Sequence, residues 1–372
     1  MIELPKTRAV LEQGITQGLH TGAQVYVSRD RETLADFALG ESRPGVAMTT
    51  DSITLWMSSV KPISAVAIAQ LVDRGVISYD DPIAVHFPEF ATKGKDDITI
   101  RQVLTHTSPL RGVNVSRRDS FDAAIQKLID ARPEPNWKPG ERAGYHPIAS
   151  WYLLAEIVHR RDGRPFEQYV REAIFLPVGM RDSWIGMPPD AYRAYGDRIA
   201  LMTNTSGTIV SAAPGDSEAD AAIVRPSGNG RGPIRELGKF YEMLLAKRLH
   251  GDNALPADIV SAEQVRLITS RQRVGMLDET FKQTIDWGLG FLINSKPYGE
   301  LPYNYGDHAS PDTFGHSGSQ SSCAFADPDN KLVVAWLCNG MPGEAKHQAR
   351  QTALNNAIYQ DLEPQMNTDK HR

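Results

Sequence analysis

The chain has 372 residues, of which 41% are hydrophobic, 23% charged and 8% aromatic. Such a composition excludes disorder and allows one large domain or two to three small ones. With 40 basic against 45 acidic residues the formal net charge is −5 and no Lys/Arg-rich run occurs, so nucleic acid is not an expected partner.

The N-terminus is polar and lacks the charged-then-apolar layout of a signal peptide, which gives the expectation of a cytoplasmic protein. No apolar run approaches the roughly 18 residues of a membrane helix, so no membrane role is expected. Val10, Leu11 and Ile15 stand at helical spacing. Gln24 to Ser28 alternates like a strand, Arg29 to Glu32 reads as a polar turn, and Leu34 to Leu39 reads as a second strand. A helix followed by a hairpin argues against a doubly wound parallel sheet. Ile53 to Met57 is a short strand-like run. An amphipathic helix follows, with Ile63, Val66, Ala67 and Leu71 on one face and Pro62 in its first turn.

From Asp80 to about 280 the pattern is helix and loop, with helices at Ile100–Leu104, Phe121–Ile129, Trp151–Val158 and Phe240–Leu249. Residues 203–233, rich in Ser, Gly, Asn, Ala and Pro, read as one long loop region. Trp287–Ile293, Ser321–Ala326 and Leu332–Leu337 return to strand patterns, with a turn at Asp327 to Asn330, and a last helix carries Ala345, Ala349, Ala353, Leu354 and Ile358. The expected fold class is α+β. Residues 1–79 and 281–372 would build one antiparallel sheet flanked by helices, and residues 80–280 a mostly helical insertion. Cys323 and Cys338 are too few for a disulfide scaffold or a cysteine zinc site, and read as small buried hydrophobes on neighbouring strands.

Ser58-Ser59-Val60-Lys61 is the chain's one Ser-x-x-Lys. A chain of this length holds about one by chance, and the tetrapeptide alone reads rather as an N-cap serine with a solvated lysine one turn on. Its setting adds chemistry. Three residues make nearly one helical turn, which puts Lys61 beside Ser58. The unpaired N–H groups of a helix start suit a developing oxyanion, and a Lys amine near a buried helix start can be driven neutral.

Gly144-Tyr145-His146-Pro147 precedes the Trp151 helix, and Gly315-His316-Ser317-Gly318-Ser319 leads into the strand ending at Ala326. Each alone also reads as ordinary structure. Together and in this order the three resemble the serine β-lactamase and penicillin-binding-protein superfamily, above all class C β-lactamases and family VIII carboxylesterases. Leu104-Thr105-His106-Thr107-Ser108 and Trp287-Gly288-Leu289-Gly290-Phe291 are similar to two further family segments.

The resemblance implies a site at the junction of an α/β part and a helical part. It implies a serine hydrolase with an acyl-Ser58 intermediate, catalytic Ser58, Lys61, Tyr145 and His316, and an oxyanion hole at the backbone N–H groups of Ser58 and Ser319. Either Tyr145, its pKa lowered by a Lys61 ammonium, or a neutral Lys61 takes the serine proton. Trp287, Tyr303, Tyr305, Phe314 and Gly318 are expected substrate contacts, with residues 203–233 as one rim; Trp151 reads as core.

Pro147 stands where β-lactamases carry an Asn that binds a substrate amide, and His316 where they carry Lys, so an esterase on small to medium acyl esters is expected over a β-lactamase. An amidase or acyltransferase uses the same acyl-enzyme, and a non-catalytic binding protein is the alternative from another class. The expected partner is a small acyl substrate, no cofactor is called for, and the oligomeric state is left open. His106, His146, Asp307, His308 and His316 lack the spacing of a metal hydrolase, so no metal is expected.

Overall fold

The computed structural model describes residues 1–372 apart from 208–209, 214, 254–257, 300–303 and 370–372, and apart from the side chains of 364–369. The chain opens with helix α1 (Pro5–Thr16), then strands β1 (Gly22–Arg29), β2 (Glu32–Arg43) and β3 (Val46–Ala47). Asp30 and Arg31 both take positive φ, 49° and 69°, and Arg29 pairs with Glu32. Two left-handed residues turn the hairpin with the twist of its strands.

From the other end of the chain come β6 (Leu292–Ile293), β7 (Phe314–Gly318), β8 (Ser322–Asp327), β9 (Leu332–Cys338) and helix α5 (Glu344–Asp369). All seven strands form one antiparallel sheet in the order β6-β7-β8-β9-β1-β2-β3, where β1 meets β9 with Val25 opposite Trp336. The expected sheet from both chain ends is therefore present. The Trp287–Ile293 strand is shorter than its pattern implied. Only Leu292–Ile293 joins the sheet, and Trp287 makes isolated bridges to Arg273 and Leu292.

Alternation divides the sheet residues between two cores. Val25, Val27, Phe325, Val334 and Trp336 face Leu11 of α1 and Leu354 and Ile358 of α5. Asp361 of α5 ties these terminal helices together: its carboxylate accepts from the Lys6 and Thr7 amides at 3.1 and 2.9 Å, orphan donors of the first turn of α1. Tyr26, Ala324, Ala326, Val333 and Ala335 face the other layer.

That layer holds helix α2 (Lys61–Asp73), entered from β4 (Thr54–Met57), and helix α4 (Ile234–His250), entered from β5 (Gly230–Gly232). Although α4 lies within the segment expected to be insertion, it packs on β1, β8 and β9. A Cβ on Gly238 would stand 2.3 Å from the Tyr26 ring, so only glycine allows that approach. The Tyr26 hydroxyl then reaches Glu242 at 2.7 Å. Helix α2 is not amphipathic as expected: every residue from Lys61 to Leu71 is buried, because it runs between the sheet and the helices of the insertion, among them α3 (Trp151–Asp162). Both cysteines are free and buried on the adjacent strands β8 and β9, and burial pushes the Cys323 thiol up to about 12. Among the described residues no helix is long and apolar enough to cross a membrane.

Candidate active site

Strand β4 delivers Ser58 to the start of α2 through a tight turn, a 3-10 turn over Ser58–Val60. Met57, just before it, has φ 51° and ψ −136°, a conformation a non-glycine residue holds only when its surroundings impose it. The surroundings are visible. The Ser322 hydroxyl donates to the Trp56 carbonyl at 2.7 Å and lies 2.9 Å from Ser59 Oγ, which is 3.2 Å from the His316 carbonyl. The Ser58 turn is thereby stitched to β7 and β8.

Gly318 belongs to the same join and does not line the cavity, contrary to its expected role as a substrate contact. A Cβ there would stand 2.3 Å from both the Trp56 carbonyl oxygen and Ser322 Oγ. The Trp56 carbonyl cannot retreat without moving Ser58. Gly318→Ala is therefore expected to remain folded but lose roughly 10²-fold in turnover, the scale of an ångström-sized misplacement of a reacting group. Circular dichroism and ester kinetics on the variant check this, and wild-type turnover would contradict it.

Lys61 is wholly buried. Its Nζ lies 3.1 Å from Ser58 Oγ, 2.9 Å from the Pro147 carbonyl oxygen and 2.8 Å from the Ser227 carbonyl oxygen. Burial, reinforced by the positive charges of Arg225 and Arg117, holds its pKa well below that of an ordinary lysine.

Tyr145 is anchored on both sides. Its amide donates to Asp278 Oδ1 at 3.0 Å and its carbonyl accepts from Thr280 Oγ1 at 3.0 Å. Asp278 is held by Arg273 at 3.1 Å in an ion pair closed to solvent. The next amide, of His146, donates to His106 Nδ1 at 3.0 Å. His106 is therefore a support of the Tyr145 segment. The Tyr145 ring stands 5.1 Å from Lys61 Nζ and 5.9 Å from the Trp287 ring. Burial raises the phenol's pKa above its ordinary value, and the Ser58 hydroxyl beside it only partly opposes this.

His316 Nδ1 lies 2.7 Å from the Ser317 carbonyl oxygen. A carbonyl only accepts, so Nδ1 carries the proton and Nε2 is a bare acceptor without a partner among the described residues. Burial, then the nearby Lys61, lowers the imidazole to about 3. His316 is thus neutral and supplies no cation.

A cavity of about 170 Å³ opens here, and the buried Lys61 is not among its lining residues. Ser58, Tyr145, Trp287, His316 and Ser319 all line it, as do Arg225, Ser227 and Gly228 from the expected rim. Arg117, Ile148 and Phe281 line it as well and were not anticipated. Two expected contacts lie elsewhere. Tyr305 donates to the Leu292 carbonyl at 2.9 Å and packs at a tilt against Phe325, on the sheet face covered by the terminal helices. Phe314 sits two residues before His316 and packs on Tyr241 and Phe291 in the α4 layer, with ring centroids 6.3 and 5.8 Å away. Both are consumed by the core. Tyr303 lies outside the described residues. Trp151 is core, as expected. Among the described residues no three His, Cys, Asp or Glu side chains gather as a metal site would require.

An antiparallel sheet flanked by helices, with the Ser58 turn opening on a cavity that Tyr145 also lines, places the chain in the class of serine hydrolases of the β-lactamase type. The family model Beta-lactamase matches residues 7–357, and the chain belongs to that family. Esterase EstB of Burkholderia gladioli is 28% identical, covering 94% of each chain. Esterase/beta-lactamase LipL of Mycobacterium tuberculosis is 24% identical over 86% of this chain and 77% of its own length. Among solved structures, a novel penicillin-binding protein homologue from Caulobacter crescentus superposes with TM-score 0.78 at 30% identity, covering 96% and 97% of the two chains. A family VIII carboxylesterase superposes with TM-score 0.80 at 25% identity, covering 97% and 98%.

Proposed function

We propose that the protein is a serine esterase acting on small to medium acyl esters through an acyl-Ser58 intermediate, with Lys61 as the base. The observation that carries this reading is the set of three neighbours around Lys61 Nζ. A neutral amine has two N–H bonds and one lone pair. The Pro147 and Ser227 carbonyls can only accept, so they take both N–H bonds. The lone pair is left toward Ser58 Oγ, 3.1 Å away. The low pKa of Lys61 and the raised pKa of Tyr145 favour this scheme over a tyrosinate base.

In the proposed cycle Ser58 Oγ attacks the ester carbonyl while its proton passes to Lys61. The oxyanion is held by the Ser58 and Ser319 amides. Such donors are worth about 3–4 kcal/mol each in other hydrolases. The C–O bond to the alcohol breaks, Tyr145 gives its proton to the departing oxygen, and Lys61 returns the proton to the phenolate. Water then repeats the sequence and frees the acid.

Pro147 has no side-chain group for a substrate amide, and the neutral His316 offers no charge to a β-lactam carboxylate, which is why esters rank above amides and β-lactams. Assay of the purified chain on p-nitrophenyl esters, simple amides and a chromogenic cephalosporin tests this ranking. Ester turnover well above the other two is expected, and rapid cephalosporin opening with poor ester turnover overturns it.

The same reading fixes a pH dependence. Lys61 is active when neutral, so kcat/KM on a neutral ester should be at its plateau by mildly alkaline pH and fall as acid protonates the amine. With its pKa near 3, His316 should contribute no step between pH 5 and 8. A profile that climbs continuously to about pH 10, where an ordinary lysine titrates, would contradict a depressed Lys61.

A further inference from the structure

Arg225 is 5% exposed and lines the cavity that holds Ser58. One of its terminal nitrogens donates to the Arg117 carbonyl, while its Nε has no partner among the described residues. The Tyr152 hydroxyl stands beside it. Among the described residues neither Arg225 nor Arg117 forms an ion pair. Arg273 shows the contrast: equally buried, it is neutralised by Asp278. Among the described residues no Asp or Glu lines the cavity, although the chain as a whole is acidic. The Asp220 carboxylate acts on Arg225 only without contact, and a guanidinium held out of water with no ion-paired carboxylate is costly, so an anion entering the cavity would relieve that cost in the bidentate geometry arginine favours.

The arrangement is built rather than incidental. The Arg225 carbonyl accepts from the Gly228 and Asn229 amides at 3.2 Å each, closing a tight turn. Asn229 Nδ2 pins that turn through the carbonyls of Asp220 and Ile223 at 2.9 and 2.7 Å. Two residues after Arg225, the same turn supplies the Ser227 carbonyl that holds Lys61. The guanidinium is thereby fixed relative to the reacting amine, and the charges of Arg225 and Arg117 are felt there. Ile148, Phe281, Trp287 and Leu292 give the same cavity an apolar wall.

We infer that Arg225, with Arg117 at the rim, is a subsite for a carboxylate carried by the substrate, so that the preferred esters pair an apolar body with a free carboxylate. This rests on the esterase reading and narrows its substrate class. The subsite stands on the insertion side of Ser58, apart from the His316 strand.

Two matched ester pairs test it: phenyl hexanoate against monophenyl adipate, with the charge on the acyl side, and phenyl acetate against 4-acetoxybenzoate, with the charge on the leaving group. For at least one pair the wild-type kcat/KM should favour the carboxylate about tenfold or more. That ratio should collapse in Arg225→Gln, fall partly in Arg117→Gln, and recover in part in Arg225→Lys. The exposed Arg117 keeps the test open if Arg225→Gln fails to fold. Calorimetric binding of 4-phenylbutyrate against 4-phenylbutanol to the wild type and variants reads the subsite without turnover. Ester turnover with no charge preference in either pair, or equal losses on charged and neutral esters in the variants, overturns the subsite and leaves the esterase reading intact. Absence of ester turnover together with Arg225-dependent binding of 4-phenylbutyrate overturns the esterase reading and leaves the subsite intact.

Discussion

Ser58→Ala should lose ester turnover by about 10⁴-fold or more, because the acyl group then has no oxygen to transfer to. The fold should barely notice. Ser58 is half-buried, and its hydroxyl is one of three polar neighbours of Lys61, the other two being carbonyls that remain. Loss of one hydrogen bond costs about 1 kcal/mol, so the melting temperature should shift by only a few degrees. The variant separates chemistry from structure: a folded protein, unlabelled by a fluorophosphonate probe and inactive on esters. A folded variant that keeps activity within tenfold of wild type would remove Ser58 from the mechanism.

Lys61→Met should lose about 10²- to 10⁴-fold in kcat, the usual worth of a positioned general base. The thioether fills much of the same volume but cannot take the serine proton. Stability should also fall, by roughly 1–3 kcal/mol, since the Pro147 and Ser227 carbonyls lose their donor inside the protein. Loss of the buried amine itself, which is costly to hold there, offsets part of that. Kinetics combined with urea denaturation distinguish the two effects. A drop in stability with unchanged kcat would make Lys61 a structural strut, and the base would then have to be sought at Tyr145.

Much of the site was readable because it depends on periodicity and order. The Ser58 to Lys61 spacing is one helical turn whatever the helix packs against. The strand alternations at Gln24–Ser28, Ser321–Ala326 and Leu332–Leu337 directly gave the three strands at the middle of the sheet. Tyr145 and His316 were legible only through the resemblance of the three motifs, in their order, to the family's pattern.

What escaped depends on groups that have no side-chain signature or on packing between distant segments. The partners of Lys61 are backbone carbonyls of Pro147 and Ser227, which any residue could supply. Arg225 is one arginine among many until its lack of an ion-paired carboxylate among the described residues is seen. Tyr305 and Phe314 sit near the right strand, but an aromatic on a strand serves a core and a pocket equally well, and only the layers on the two faces of the sheet decide between them. Helix α2 looked amphipathic because alanines at 65, 67 and 69 carry little hydrophobic signal while packing as tightly as leucines.

The central claim is a covalent bond between substrate and Ser58. Mixing the protein with an excess of a p-nitrophenyl ester, quenching in acid within the first turnovers and mapping the peptides by mass spectrometry tests it directly. The result expected is a single acyl adduct on the peptide containing Ser58, stable in acid, accumulating with a burst of p-nitrophenol and missing from Ser58→Ala. Steady hydrolysis with no burst and no adduct under any quench time, or an adduct on a different residue that persists in Ser58→Ala, would contradict it.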